Sequence, residues 1–414
     1  MEAQTRSSSG WLEPDISPGT LTELCKKLGA KGVQVEELMS ADTETLDFIS
    51  PVFGFTFLVH YTPNKYHKDD MVVVGGDIYF ANQLVNNACS TQAILSILLN
   101  CDDMLDIGDD LRSFRDSTKE YSPLLKGSAI RDDSNIRSAH NSLAKHQDTV
   151  DEAAKSSDTD EDTMFHYVSY VPVSGYIWEL DGLKRGPGRI APLADKSWLD
   201  VAGPELQRKM ELYSKSRINF TLLAVIKSRE LVYEDRLRSK RRLKLAIETK
   251  LDTLDTEWRS KCNFDQWEEE FHFTISEIQK QYQSDTMSKP TRDVIEDLAV
   301  LGNSPDPSKI EGWSVPSSTP SSLRTKEEQA FQENMAYVAE SHDPRLMIDM
   351  WLQIQEDCVR LHEAIAQEEE KMTNRQRESS LRHRPYSEFI NAFLAKLHQQ
   401  GHLHRMLSQP FPTE

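Results

Sequence analysis

Every run of this chain that reads as a buried strand lies before Lys227, and the residues directly after it, 228–282, are charged helix formers. Val52–Tyr61 (VFGFTFLVHY), Met164–Val171, Tyr176–Leu180 and Ile218–Ile226 (INFTLLAVI) are rich in the β-branched and aromatic residues that fit a pleated, buried surface. A sheet must therefore be assembled within residues 10–227. Helices are interleaved with these strands. Pro18, Leu21, Leu24, Cys25 and Leu28 recur at helical spacing up to a stop at Gly29. Asn86–Asn100 predicts a second helix, with Asn86 or Asn87 as its cap and Ile94, Leu95, Leu98 and Leu99 facing inward. The expected fold class is α/β in the α+β sense, followed by a helical extension.

Residues 228–282 carry a short heptad-like seam, Ile247, Leu251, Leu254 and Trp258. Asn303–Thr325 is a Pro/Ser linker of the composition that resists folding. Lys326–Met372 returns to helix, and after Pro385 the residues Tyr386, Phe389, Ile390, Phe393, Leu394 and Leu397 trace one apolar face. That face either packs on the preceding helices or fits a partner's groove. The domains expected are 10–227, 228–372 with its linker at about 303–325, and 373–414.

Lys and Arg number 48 against 67 Asp and Glu, a formal charge of −19. Nucleic-acid binders need a basic footprint, so a dedicated one is disfavoured and a partner with a basic surface is favoured. The five cysteines, Cys25, Cys89, Cys101, Cys262 and Cys358, are scattered without a C-x-x-C pair. A disulfide framework and a zinc site are both disfavoured, and no cofactor is called for. The N-terminus has no apolar signal core, and no apolar run approaches the ~20 residues that span a bilayer. An intracellular, reduced, soluble protein without membrane attachment is expected.

Three residue types in one order carry chemistry. Cys89 falls in the first turn of the Asn86–Asn100 helix, where the free N–H groups favour thiolate. Taken alone it reads as a small core residue sooner than as a nucleophile, and its company changes that. A hairpin centred between Val173 and Ser174, flanked by Pro172 and Gly175, sets His166 directly opposite Asp181. Opposed residues have Cβ atoms ~4.5–5.5 Å apart, within reach of an imidazole–carboxylate bond. Cys, His and Asp are the nucleophile, base and orienter of a thiol protease. Gln83, six residues before Cys89, supplies an amide for the oxyanion beside the Cys89 backbone N–H.

QLVNNAC at Gln83–Cys89, FHYVSYV at Phe165–Val171 and ELDGL at Glu179–Leu183 resemble the ubiquitin C-terminal hydrolases, papain-like thiol peptidases. GWLEPDISPGTLTEL at Gly10–Leu24 and GVQVEEL at Gly32–Leu38 add to the match. The resemblance implies a mainly antiparallel sheet flanked by helices, a knotted chain, and a loop crossing the cleft at the acidic segment Lys145–Thr163. It makes Cys89 the nucleophile, His166 the general base, Asp181 its orienter and Gln83 the oxyanion donor. Short family members carry Gly and His where this chain has Ser90 and Ser96. That difference, SILLNC at Ser96–Cys101 and RHRPYSEFINAFLAKLHQQGHL at Arg382–Leu403 are similar to the long-tailed members, of which one type associates with the proteasome and with chromatin remodellers.

The implied activity is hydrolysis after the terminal glycine of ubiquitin, by an enzyme that is cytoplasmic and nuclear. The implied partners are ubiquitin conjugates and a proteasomal ubiquitin-receptor adaptor or chromatin-remodeller subunit held by the last helix. A histone-directed chromatin deubiquitinase and a non-catalytic ubiquitin-binding scaffold are the alternatives. Arg375, Arg377, Arg382, His383 and Arg384 form a basic cluster that is either solvated or faces an acidic partner or nucleic acid. His60, His140 and His146 read as structural.

Overall fold

The computed structural model describes residues 10–13, 15–61, 78–101, 103–144, 164–216, 218–282, 326–382, 387–400 and 402. The expected crossing loop at Lys145–Thr163, the Pro/Ser linker, His146 and His383–Tyr386 lie outside the described residues. Two compact units are formed: one by the chain up to Ser228 with the residues from Met372 onward, the other by Arg229–Lys371.

In the first unit, β1 (Val33–Leu38), β2 (Val52–Tyr61), β3 (Met164–Val173), β4 (Tyr176–Leu180), β5 (Gly188–Pro192) and β6 (Phe220–Lys227) form one sheet in the order β1-β6-β2-β3-β4-β5. All its pairings are antiparallel. The central strands are those read from apolar runs, and β2 and β4 have the expected bounds. The sequence pattern predicts no strand at β1 or β5, which are the edges. VQVEEL carries two Glu and GRIAP begins with Gly and ends with Pro, as befits strands that must not recruit another chain.

The β3–β4 hairpin corrects the expected register. Val173 pairs with Tyr176 and Ser169 with Leu180, so the turn is Ser174–Gly175 rather than Val173–Ser174. Both turn residues have positive φ, 48° and 78°, the requirement of a two-residue primed turn. Val173 would be strained at positive φ because it is β-branched, whereas Ser and Gly tolerate it. His166 is therefore not the cross-strand partner of Asp181. The turn's displacement moves the pairing by two positions, which keeps both residues on the parity of one face.

The helices cover both faces. Among the described residues up to Ser228 the α-helices are α1 (Pro18–Lys27), α2 (Thr43–Ile49), α3 (Cys89–Leu98), α4 (Gly108–Thr118), α5 (Pro123–Asp132), α6 (Ser134–Asn141) and α7 (Trp198–Lys215). Leu21 and Leu24 of α1 and Ile94, Leu95 and Leu98 of α3 pack with Tyr167, Val171, Leu223 and Val225 on one face. Leu46 of α2 and Leu206 and Met210 of α7 pack with Phe55, Phe57, Leu222 and Ile226 on the other. Burying such a side chain contributes about 1.5–3 kcal/mol, so both faces are driven shut by apolar area.

The second unit holds α8 (Arg229–Leu254), α9 (Trp258–Lys261), α10 (Phe264–Tyr282), α11 (Lys326–Glu340) and α12 (Pro344–Arg382) as far as Lys371. The expected seam is present: Ile247, Leu251 and Trp258 are fully buried beside Met347 and Trp351, and Leu254 packs against them. Trp258, Phe264 and Trp351 form an aromatic trio with centroids 5.3–5.8 Å apart. α13 (Ser387–Gln399) is the last helix among the described residues, with Phe389, Ile390, Phe393 and Leu394 all exposed.

The basic cluster before α13 is not uniformly solvated. Both Nη atoms of Arg375 donate to the two carboxylate oxygens of Glu36 on β1, each at 2.8 Å. Arg377 is exposed.

Candidate active site

Cys89 is the first residue of α3, but no asparagine caps that helix. Asn86–Ala88 form a short 3-10 turn, Ala88 occupies the cap position, and the Asn87 amide donates instead to the carbonyl of Trp11 at 3.3 Å. The amides at the helix start are therefore left for the thiol. The backbone N–H groups of Cys89 and Ser90 draw its pKa down, yet burial outweighs them and pushes the thiol up to about 11. Cys89 packs on the layer that contains Tyr167, whose hydroxyl is buried and pushed upward first by desolvation and then by the charges of Cys89 and Asp15. Tyr167 is the chain neighbour of His166. The Ser169 hydroxyl of β3 donates to the carbonyl of Ala93 at 3.1 Å, which seats α3 on the strand that carries His166.

His166 and Asp181 are both buried and meet directly, His166 Nε2 lying 2.6 Å from Asp181 Oδ1. The same oxygen accepts the backbone N–H of Leu183 at 3.0 Å. A carboxylate accepts only, so Nε2 carries the proton in this bond and Nδ1 is the basic nitrogen. Asp181 thus chooses the tautomer as well as the orientation.

Gln83 is joined to this pair through its main chain. Its N–H donates to the carbonyl of Gly182 at 2.9 Å, and a Cβ on Gly182 would stand 2.9 Å from Gln83 Cβ. Only glycine permits that approach. The structure brings His166 of β3 and Asp181 after β4 into contact, ties the Gln83 main chain to the residue after Asp181, and sets Cys89 at the start of α3.

Sequence reasoning missed the groups behind Asp181. Glu179 accepts from Lys184 Nζ at 2.9 Å, Lys209 Nζ at 2.5 Å and the Tyr170 hydroxyl at 2.8 Å. Desolvation raises the Glu179 pKa, but the two lysines outweigh it and hold the carboxyl at about 2. Nothing local in the sequence pairs Glu179 with Lys209, which lies on α7. His140 does prove structural: Nε2 donates to the carbonyl of Leu12 at 2.9 Å and Nδ1 accepts from Thr91 at 2.7 Å. Burial holds its pKa below the usual value.

A part-buried thiol at a helix start thus stands in the same unit as a buried His–Asp pair bonded through Nε2, the residue types of a cysteine hydrolase. The profile described as ubiquitin carboxyl-terminal hydrolase, family 1, matches residues 11–211. The chain is 36% identical over 249 residues to ubiquitin carboxyl-terminal hydrolase isozyme L5 of Dictyostelium discoideum, covering 60% of this chain and 71% of that one. It is 32% identical over 244 residues to ubiquitin carboxyl-terminal hydrolase 2 of Schizosaccharomyces pombe, covering 58% and 81%. It is 36% identical over 265 residues to ubiquitin carboxyl-terminal hydrolase BAP1 of Gallus gallus, covering 60% and 37%. It is also similar to the crystal structure of Trichinella spiralis UCH37 bound to ubiquitin vinyl methyl ester, with 32% identity, 55% and 87% coverage and a TM-score of 0.45. The chain belongs to the ubiquitin carboxyl-terminal hydrolase family and is a cysteine-type peptidase.

Proposed function

We propose that this protein hydrolyses the bond after the terminal glycine of ubiquitin, with Cys89 as nucleophile, His166 as base, Asp181 as its orienter and Gln83 as oxyanion donor. The single observation that carries the assignment is the 2.6 Å bond from His166 Nε2 to Asp181, which leaves Nδ1 as the base. The Cys89 proton passes to Nδ1 and the sulfur forms a bond to the glycine carbonyl carbon. Negative charge then gathers on the carbonyl oxygen, where the Gln83 amide and the Cys89 N–H stabilise it. As the C–N bond breaks, the leaving amine takes the proton from Nδ1. In the second half water gives a proton to Nδ1 as its oxygen bonds to the acyl carbon; the C–S bond then breaks, and the departing sulfur takes the proton back from Nδ1 to restore the thiol. The net charge of −19 suits a substrate with a basic tail.

Cys89→Ala in the full chain is the test. Hydrolysis of a fluorogenic conjugate at the ubiquitin C-terminus should vanish while ubiquitin binding persists. Unchanged turnover would remove the enzymatic reading and leave the ubiquitin-binding scaffold.

The domain roles follow the same reading: 10–227 catalytic, 228–372 a charged helical extension, 373–414 a docking domain. The exposed face of Phe389, Ile390, Phe393 and Leu394 supports recruitment of an adaptor by the tail; the cytoplasm and nucleus as the place of action rest on the family resemblance. A proteasomal ubiquitin receptor is the reading preferred over a chromatin partner. Polar replacement of Phe389 and Phe393 should abolish co-purification of proteasome subunits. Retention of every partner would defeat it.

A further inference from the structure

One short turn serves two of the proposed catalytic groups. Residues Asp181–Lys184 follow the end of β4, and the Lys184 N–H donates to the Asp181 carbonyl at 2.9 Å, closing the turn. The Asp181 side chain caps it through the Leu183 N–H. Lys184 reaches back to Glu179 at 2.9 Å, which pins the turn to the strand it leaves. Two of its carbonyls, those of Gly182 and Lys184, face the segment before α3. That segment meets them with consecutive residues: Gln83 donates its backbone N–H to Gly182, and the Asn82 side-chain amide donates to Lys184 O at 2.7 Å and Gly182 O at 3.4 Å. The other end of Asn82 is fixed too, since its N–H donates to the carbonyl of Pro123, the first residue of α5, at 2.9 Å.

We propose that Asn82 is a positioning residue for the reaction, clamping the Asp181–Lys184 turn to the Gln83 backbone so that the orienter of His166 and the oxyanion donor move as one body. The proposal rests on the roles given above to Gln83 and Asp181. Its physical basis is that the main-chain bond from Gln83 to Gly182 is a single pivot. The Asn82 amide, reaching two carbonyls of the same turn, adds the second point that stops rotation about it. An amide is required for this task. Both acceptors are carbonyl oxygens, so the partner must donate, and its length must match a half-buried gap. Asp at this position has the same shape and would set a carboxylate against two carbonyls.

The test compares Asn82→Ala, Asn82→Asp, Gln83→Ala, Cys89→Ala and the Asn82→Ala/Gln83→Ala double variant in the full chain, on a fluorogenic ubiquitin C-terminal conjugate. Displacement of a catalytic group by about 1 Å can cost 10²-fold, so each Asn82 variant should lose about 10–10²-fold in kcat with KM changed by less than about threefold. A bond that served stability alone would lower the melting temperature and leave that kcat–KM split absent. Asp should be no better than Ala, and it keeps the side-chain volume should Ala not fold. In the Gln83→Ala background the Asn82→Ala effect should shrink by about threefold or more, because one of the two groups it positions is gone. Wild-type kcat in both Asn82 variants, a loss confined to KM, or the same fold-loss with and without Gln83 would each overturn the proposal. Wild-type turnover in Gln83→Ala or Cys89→Ala would instead defeat the catalytic assignment, and the clamp would fall with it.

Discussion

Asp181 holds His166 by Nε2 at 2.6 Å although the two are not opposed in the hairpin that carries them. Cross-strand pairing ends at Ser169 and Leu180, and the contact is made beyond it, where the chain leaves β4. A diagonal pair is more separated at the backbone than an opposed one, so the geometry depends on the turn that carries Asp181 as well as on the strands.

That dependence ranks the substitutions at the pair. On the proposed roles, His166→Ala removes the base and should lower kcat by about 10²–10⁴-fold, whereas Asp181→Asn only misdirects it and should cost about tenfold less. Steady-state kinetics on the fluorogenic ubiquitin conjugate measures both. An Asp181→Asn variant as damaged as His166→Ala would mean that the carboxylate does more than orient.

The Cys89 thiol, pushed up to about 11 by burial, should react slowly with a small alkylating agent in the free enzyme. An acid with a raised pKa is almost wholly protonated at neutral pH, so the alkylation rate should climb about tenfold per pH unit from 7 to 10. Mass spectrometry of the Cys89 peptide reads the rate. A plateau by pH 8 would show that the thiolate is already formed without substrate.

Glu179 makes the catalytic unit acid-sensitive. Its pKa falls from 4.5 to about 2 on folding, so the folded state binds fewer protons than the unfolded one between those values. The contribution is complete above about pH 4.5, is about 3 kcal/mol there, and is lost as the pH falls towards 2. Urea unfolding at pH 6 and pH 3 should therefore separate by more in the wild type than in Glu179→Gln. Glu179→Gln should also destabilise the protein at pH 6 by about 3–5 kcal/mol, since Lys209 and Lys184 lose their counter-charge. An unchanged pH difference in the variant would exclude Glu179 as the source.

The bidentate bond from Arg375 to Glu36 predicts a local effect. Arg375→Ala removes two charge-assisted bonds and should lower the opening free energy of residues 372–382 by about 1–3 kcal/mol, seen as faster amide hydrogen exchange there. Arg375→Lys should recover only part, because a single ammonium cannot engage both oxygens in a planar fork. Exchange unchanged by Arg375→Ala would mean that the bond to Glu36 does not hold the segment.

What the sequence determined by itself was whatever depends on a residue's immediate neighbours. The extents of β2 and β4, the inward face of α3 at Ile94, Leu95 and Leu98, and the seam at Ile247 and Leu251 were legible because apolar periodicity records which side of an element meets a core. The motifs around Gln83, Cys89, His166 and Asp181 were legible as a joint spacing. β1 and β5 were not, because an edge strand is kept polar or broken and so resembles a loop.

Only the tertiary structure decided the polar partners and the energies. The hairpin register turned on which two residues tolerate positive φ, and Asn87 left the helix cap for a carbonyl of Trp11. Arg375 found Glu36 across 339 positions, and Asn82 found the turn that carries Asp181. Cys89 was raised rather than lowered because the burial of its thiol outweighs the helix amides beside it. Apolar burial is additive and non-directional, so a pattern along the chain suffices to announce it. A hydrogen bond or a pKa depends on which group the fold leaves opposite, and that is settled only when the chain has closed on itself.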